Sequence, residues 1–437
     1  MKEFKLPEDF LLGTATSASQ IESGIENNNW NEWSLEGKVK DGSSPARTVD
    51  HWNMVDKDIE LLKEINCRTY RLSIEWSRIE PEQDKFDKST TEHYRDELIK
   101  LNKAGIKPLL TLHHFTNPIW FDKTGSWLSE NSIHSFLNYV HYVVENFGDL
   151  VSEWCTINEP NVYSYAGYVV GYWPPGESRK LSKYYPVAKN MIIAHIEAYR
   201  LIHELREKMG FYDTKVGFSL HLRLFQPKVN LPIEKILTKI ITHNFNNIFL
   251  FGMAEGMLFR LYSKYYYEGK PGNYMDYIGI NYYSRDKVKF TFSYKNYFSR
   301  QANSSKAPKS DLGWDIYPKG LYKLCKEVYT HYKKPIYITE NGVADAADKF
   351  RSKFIYDHLY QIRRLLDDEV NVERYYYWSL MDNFEWIEGL IPRFGLYETD
   401  YLTMERKLRK SGRFFAEISR NSGVTMEMIE EYLNYEL

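Results

Sequence analysis

Cysteine is scarce: Cys67, Cys155 and Cys325 are the only three in 437 residues. Three scattered thiols exclude a disulfide framework and a cysteine-based zinc site, and they fit a reducing compartment. Excess charge is missing too. Lys plus Arg number 57 and Asp plus Glu 59, a formal charge of −2. Nucleic-acid binders carry a basic face or stripe, so that class is set aside. Long apolar runs are also lacking. The most apolar stretch, around Ile248 to Phe259, is interrupted by Gly252, Glu255 and Gly256 and is too short for a bilayer. Met1 to Asp9 hold no apolar segment of a secretory signal. A cytoplasmic protein with neither membrane nor nucleic-acid partner is expected. Linkers and low-complexity tracts are absent, so residues 1–437 are expected to form one domain. The polar stretch from Asn296 to Ser310 is expected to be a mobile loop.

Aromatic residues are abundant. The chain has 36 Tyr, 23 Phe and 11 Trp, 16% of the total. Aromatic faces build cores and also bind the flat apolar faces of ligands, and composition does not separate the two. Strand-like runs recur at Phe10–Thr16, Thr69–Ile74, Lys107–His113, Glu153–Ile157, Lys215–Leu220, Tyr277–Ile280, Ile336–Thr339 and Tyr375–Ser379. Most are apolar on consecutive positions, as strands buried on both faces are. Between them lie helical patterns: Asp56 to Ile65, Tyr94 to Lys103, Val187 to Leu205 and Lys353 to Leu366. Gly105 reads as the stop of the second. Eight alternating strands and helices point to an α/β fold, a single (β/α)8 barrel; an open doubly wound sheet has the same periodicity.

In such barrels the active site lies at the C-terminal ends of the strands. The residues there are Gln20, Arg71, Glu75, His113, His114, Asn158, Glu159, His221, Asn281, Tyr282, Tyr283, Glu340, Asn341 and the run from Trp378 to Trp386. Glu159 and Glu340 each follow an apolar strand. Two carboxyl groups facing one site are what glycosidic-bond cleavage needs, one to protonate the leaving oxygen and one to attack. Environment sets their roles, and Arg71 is the candidate cation beside one of them. His113 and His114 alternate on a strand and face opposite ways, as do Tyr282 and Tyr283. The His pair has no third ligand at metal spacing, so no metal is expected. Trp76 and Trp173 read as packing residues, as does Cys155.

The segments FLLGTATSASQIE (Phe10–Glu22), YRLSIEWSRIEP (Tyr70–Pro81), TLHHFTNP (Thr111–Pro118), TINEP (Thr156–Pro160), IGINYY (Ile278–Tyr283), GWDIYPKGLY (Gly313–Tyr322), ITENG (Ile338–Gly342) and YWSLMDNFEW (Tyr377–Trp386) run nearly end to end. In this order they resemble glycoside hydrolase family 1, the retaining β-glycosidases. The resemblance implies a β-glucosidase-like enzyme without a cofactor, acting on a small β-glycoside or oligosaccharide. It assigns Glu159 as acid/base and Glu340 as nucleophile. Asn158 would hold the sugar 2-hydroxyl, and Arg71 and Tyr283 would bond the Glu340 carboxylate. Gln20, His114, Glu385 and Trp386 would bind the other hydroxyls, and Trp378 would lie under the ring. The Trp378–Ser379 peptide is expected to be cis.

Three departures touch specificity. Many members have Trp where Phe115 stands, and its indole N–H reaches a sugar hydroxyl. Asn161 replaces a Trp that shapes the leaving-group site, and Ser19 replaces an aromatic residue. The alternatives are a 6-phospho-β-glycosidase and a non-catalytic sugar-binding homologue. The first is disfavoured because Glu385 would repel phosphate and Arg393 is the only cation nearby in sequence; the second, because both glutamates are present. Transglycosylation would use the same residues as hydrolysis.

Overall fold

The computed structural model describes residues 1–260, 263–293, 297, 299–302 and 306–433. Of the expected 296–310 loop, Asn296, Phe298 and 303–305 lie outside the described residues. Within the same stretch, Ser299–Ala302 is a strand, paired antiparallel with Arg285–Phe290.

Eight strands make the frame: β1 (Leu11–Ala15), β2 (Thr69–Ser73), β3 (Lys107–His113), β4 (Glu153–Asn158), β5 (Lys215–His221), β6 (Tyr277–Asn281), β7 (Ile336–Asn341) and β8 (Val372–Trp378). Each runs parallel to its neighbours in sequence, and β8 returns to β1 with Tyr376 opposite Gly13, so the sheet closes. An open doubly wound sheet is thereby excluded. Helices follow the strands, among them α1 (His51–Glu64), α2 (Lys88–Lys103), α3 (Ser132–Phe147), α4 (Leu181–Lys208), α5 (Ile248–Glu255), α6 (Lys319–Tyr332), α7 (Arg351–Asp367) and α8 (Lys410–Asn421). Among the described residues no helix is long and apolar enough to cross a membrane.

Local chemistry explains where the elements begin and end. Gly105 adopts φ +72° just past α2. Its N–H donates to Asn102 O and the Ile106 N–H to Leu101 O, the paired bonds that close a helix and free the chain for β3. By contrast, α1 starts five residues before the sequence pattern does. Its first turn carries His51, which is buried against Asp58 and Glu97 at 2.8 and 3.1 Å. A buried ion cluster is invisible to apolar periodicity. For the same reason β8 starts at Val372, not Tyr375. Arg374 in its first turns bonds the fully buried Glu153 of β4, which also receives Lys107.

Tyrosines fill the barrel where branched aliphatics often do. Tyr277 and Tyr337 stack at 4.0 Å, in a cluster with Leu109, Cys155 and Tyr376. Their hydroxyls find partners: Tyr277 donates to Trp154 O, and Tyr376 pairs with Thr69 Oγ1. Above the barrel, Arg285–Phe290 extends past β6 and pairs in parallel with Leu224–Pro227, which extends past β5.

Gly342 ends the chain segment after β7, and a Cβ there would lie 1.8 Å from Trp378 O. No side-chain rotation relieves a clash with backbone. Gly342→Ala should therefore cost about 1–3 kcal/mol or more of stability and displace both strand ends. A lowered melting temperature measured by calorimetry, with reduced specific activity of the soluble fraction, checks this.

Candidate active site

The two glutamates come from opposite sequence halves to one end of the barrel. Strand pairing is irregular where they sit: register shifts occur at Cys155/Asn158 on β4, Gly279/Asn281 on β6 and Ile338/Asn341 on β7. Such bulges re-aim side chains at strand ends. Glu159 itself has φ +45°, uncommon for a residue with a side chain, and Pro160 then opens the short helix Pro160–Ser164. Phe115 (φ +72°) and Trp386 (φ +50°) share that left-handed backbone. Strain of this kind concentrates at functional sites.

Glu340 is held at both oxygens. Arg71 Nη1 donates to Oε1 at 2.5 Å and Tyr283 OH to Oε2 at 2.6 Å. Arg71 Nη2 reaches Asn158 Oδ1 at 2.6 Å. Burial pushes the Glu340 carboxyl up to about 7, the Arg71 charge pulls against that, and the Glu159 charge adds to the rise. Arg71 and Tyr283 both bond the ionised form of Glu340, which favours the charge there.

Asn158 is the hub of the polar floor. Its Oδ1 accepts from Arg71 and from Asn281 Nδ2 at 3.0 Å, so its Nδ2 faces His114 Nε2 at 3.1 Å. The His114 ring is then an acceptor at Nε2 and carries its proton on Nδ1. Burial, with the Arg71 charge adding, holds this ring well below the usual imidazole range, so it is neutral. Asn281 Nδ2 also donates to Glu159 Oε1 at 2.8 Å, and Thr339 Oγ1 fixes the Asn281 amide from the other side.

A cavity of about 580 Å³ opens above these groups, lined by Glu159, Glu340, His114, Tyr283, Trp378, Glu385 and Trp386, among others. That volume suits a small ligand. Three polar atoms of its lining residues are buried without a partner among the described residues: His114 Nδ1, Glu385 Oε2 and Trp173 Nε1. Burial pushes the Glu385 carboxyl up to about 8, with the Glu340 and Glu159 charges adding; Trp378 bonds it. Orphaned donors and acceptors beside aromatic faces match a ligand with hydroxyls and an apolar ring face. Trp386 is backed by Trp30 at 4.9 Å and Phe115 at 5.1 Å. The Trp378–Ser379 peptide is cis.

Glu159, Glu340, Tyr283, His114, Trp378, Glu385 and Trp386 line the cavity, and Arg71 and Asn158 lie beneath it. Gln20 is wholly buried and does not line the cavity. Its Nε2 donates to Asn383 Oδ1 and Phe384 O while its Oε1 accepts from Ser17. His113 packs away from the cavity against Trp127 and Tyr163, and Tyr282 bonds Tyr317 O. Arg393 does not serve the cavity: it bonds Thr399 O and stands over the Tyr401 ring. Lys40 is a lining cation instead, paired with Glu388 at 2.6 Å.

Trp173 was expected to be packing, yet it lines the cavity, in edge contact with Phe115 at 4.8 Å. Arg223 and Asp286 also line it, with a mutual ion pair at 2.9 Å. Both lie a few residues past a strand end, so a reading confined to strand ends misses them. Among the described residues no three His, Cys, Asp or Glu side chains assemble as a metal site.

Two differently partnered carboxyl groups over a cavity of hydroxyl-binding atoms can cleave a glycosidic bond. Comparison with known proteins agrees. Residues 2–424 match the glycosyl hydrolase family 1 description. The chain is 32% identical to β-glucosidase A of Acetivibrio thermocellus, over 97% of this chain and 100% of that protein. It is 31% identical to a β-galactosidase of Pyrococcus woesei, covering 98% and 99%. Among solved structures, a β-glycosidase from Pyrococcus horikoshii superimposes with a TM-score of 0.90 at 36% identity, covering 100% and 99%.

Proposed function

The chain belongs to glycosyl hydrolase family 1 and is an O-glycosyl hydrolase of the β-glycosidase class, and from that premise we propose a retaining, exo-acting enzyme that prefers β-glucosides. One observation carries the reading. Glu340 is gripped by Arg71 and Tyr283, while Glu159 is held by Asn281 on one oxygen, and both line one cavity.

Glu340 attacks the anomeric carbon as the bond to the aglycone breaks, and Glu159 gives its proton to the departing oxygen. A glycosyl ester forms on Glu340. Glu159, now a carboxylate, takes a proton from water. The water oxygen bonds the anomeric carbon and the Glu340 ester oxygen leaves. Two inversions give net retention. Asn158 Nδ2 gives its second N–H to the 2-hydroxyl. His114 Nδ1, Glu385 and Trp386 receive the others, while Gln20, whose Nε2 donates to Asn383 Oδ1 and Phe384 O, fastens the segment before Glu385. The rings of Trp30, Phe115 and Phe384 pack against Trp386, a rigid aromatic wall that suits a terminal sugar. The three cysteines are buried and unpaired, which suits a reducing, cytoplasmic setting.

A hydrolysis panel tests the reading: aryl β-glucoside, β-galactoside, β-fucoside and 6-phospho-β-glucoside, with the first-formed anomer followed by proton NMR. The β-anomer should appear first and the unphosphorylated glucoside should turn over fastest. An α-anomer formed first overturns retention.

Tyr283→Phe removes one donor from the Glu340 anion, a charge-assisted bond worth about 1.5–3 kcal/mol. At about 1.36 kcal/mol per decade, kcat/KM should fall by roughly ten- to a hundredfold. Loss of a bond to the anion raises the Glu340 pKa further, so the acid limb of kcat/KM should move to higher pH. An unshifted limb would show that Tyr283 does not tune Glu340.

A further inference from the structure

Glu159 Oε1 has a second neighbour besides Asn281. His221, the last residue of β5 and 6% exposed, places Nδ1 at 3.4 Å from it. The other ring nitrogen is engaged as well: Arg223 Nε donates to His221 Nε2 at 3.2 Å. A guanidinium in a protein is always protonated and can only donate. His221 Nε2 must therefore be the acceptor, and the neutral ring carries its proton on Nδ1, the nitrogen turned to Glu159. Arg223 is itself fixed. Its Nη1 donates to Asp286 Oδ2 at 2.9 Å, and its backbone N–H and O are both bonded by the Asn246 amide. The parallel pairing of Arg285–Phe290 with Leu224–Pro227, with Asp286 opposite Phe225, holds the two halves together.

Resting on the assignment of Glu159 as acid/base, we propose that His221, its tautomer locked by the Arg223–Asp286 pair, is a positioning donor to Glu159. Asn281 and His221 both address Oε1, which leaves Oε2 to carry the transferable proton. As that proton departs, the Nδ1–H supports the negative charge appearing on the carboxylate. The same contact aims the carboxylate as the base of the second step. No further co-reactant is required, since only the proton already assigned to Glu159 moves.

The pH dependence of kcat/KM reads this directly. The charged and titratable groups around the relay are Glu340 from β7, Glu385 after β8, Tyr165 and Tyr172 after β4, and Tyr283 and Asp286 after β6. All persist when His221 alone is changed. His221→Leu removes a donor to the carboxylate, so the alkaline limb should move up by about one pH unit, a tenfold change in the acid constant. The acid limb, dominated by Glu340, should move less. Turnover of a methyl β-glycoside, which needs a full proton, should fall about tenfold, and that of a dinitrophenyl β-glycoside much less. His221→Asn keeps an N–H near the Nδ1 position and should restore most of both effects. If His221→Leu does not fold, Arg223→Met serves: it frees the tautomer and should shift the alkaline limb the same way. Lost activity with an unmoved alkaline limb in these variants would make His221 a cavity wall and overturn the proposal. Failure of the underlying reading looks different: Glu159→Ala would then keep the wild-type alkaline limb.

Discussion

Glu340→Ala should lower kcat by roughly five to six orders of magnitude on every aryl β-glycoside, as loss of a nucleophile does where catalytic groups act as a unit. Without the carboxylate no ester can form, and water has no activated route to the same face of the anomeric carbon. The geometry adds a second outcome. Removing the side chain leaves a space bounded by Arg71 Nη1 and Tyr283 OH, two donors that addressed the lost oxygens at 2.5 and 2.6 Å. A small anion fits that description, so millimolar formate or azide should restore part of the turnover. An external azide attacks once, with one inversion, and the product should be the α-glycosyl azide. NMR of that product is the check. A β-azide, or full activity without any added anion, would sink the nucleophile assignment. The substitution also leaves Arg71 buried without its anion, and breaking such a pair costs about 3–5 kcal/mol. Arg71 keeps Asn158 Oδ1 and Thr339 O as acceptors, which offsets part of that cost. Glu340→Gln, equally inactive but isosteric, separates lost chemistry from lost stability.

The residues legible in the sequence share one property: they sit at the end of an apolar strand, where period and position mark them together. Glu159, Glu340, Asn158, His114 and Tyr283 are of this kind, and the structure gathers all five at one end of the barrel. Strand interiors were legible because barrel strands are buried on both faces. Element starts were not legible where burial is achieved by ion pairing, as at His51 with Asp58 and Glu97, and at Arg374 with Glu153. Charge at those positions reads as solvent exposure. Trp173, Arg223 and Asp286 escaped for a third reason. Their place over the site depends on how the segments after β4, β5 and β6 fold back across the rim, and no periodicity encodes that. The aromatic excess divides along the same line. Tyr277, Tyr337 and Tyr376 fill the barrel, while Trp173, Trp378 and Trp386 line the cavity. Glu385 is a weaker barrier to a phosphorylated sugar than its formal charge implies. Burial pushes its carboxyl up to about 8, which favours the neutral form. What disfavours phosphate is that the lining cations Lys40 and Arg223 are already committed to Glu388 and Asp286.

Glu159→Ala should split the substrates by leaving group. For alkyl and methyl β-glycosides the departing oxygen is a strong base and must be protonated as it leaves, so kcat/KM should fall by about 10²–10⁴. A dinitrophenolate leaves without help, so for that aglycone kcat/KM should hardly change. Its kcat should still fall, because the second step has lost the base that activates water. The glycosyl ester then accumulates, and KM falls with kcat. Rapid mixing should show a burst of dinitrophenolate equal to the enzyme concentration, followed by slow turnover. Azide enters the space vacated by the carboxylate on the aglycone side and needs no base. It should raise kcat and yield the β-glycosyl azide, opposite in configuration to the product expected from Glu340→Ala. The alkaline limb of kcat/KM should vanish, because the group whose ionisation sets it is gone. An equal loss on all leaving groups would mean that Glu159 shapes the cavity without moving a proton, since only a proton donor makes the penalty depend on the basicity of the oxygen that leaves.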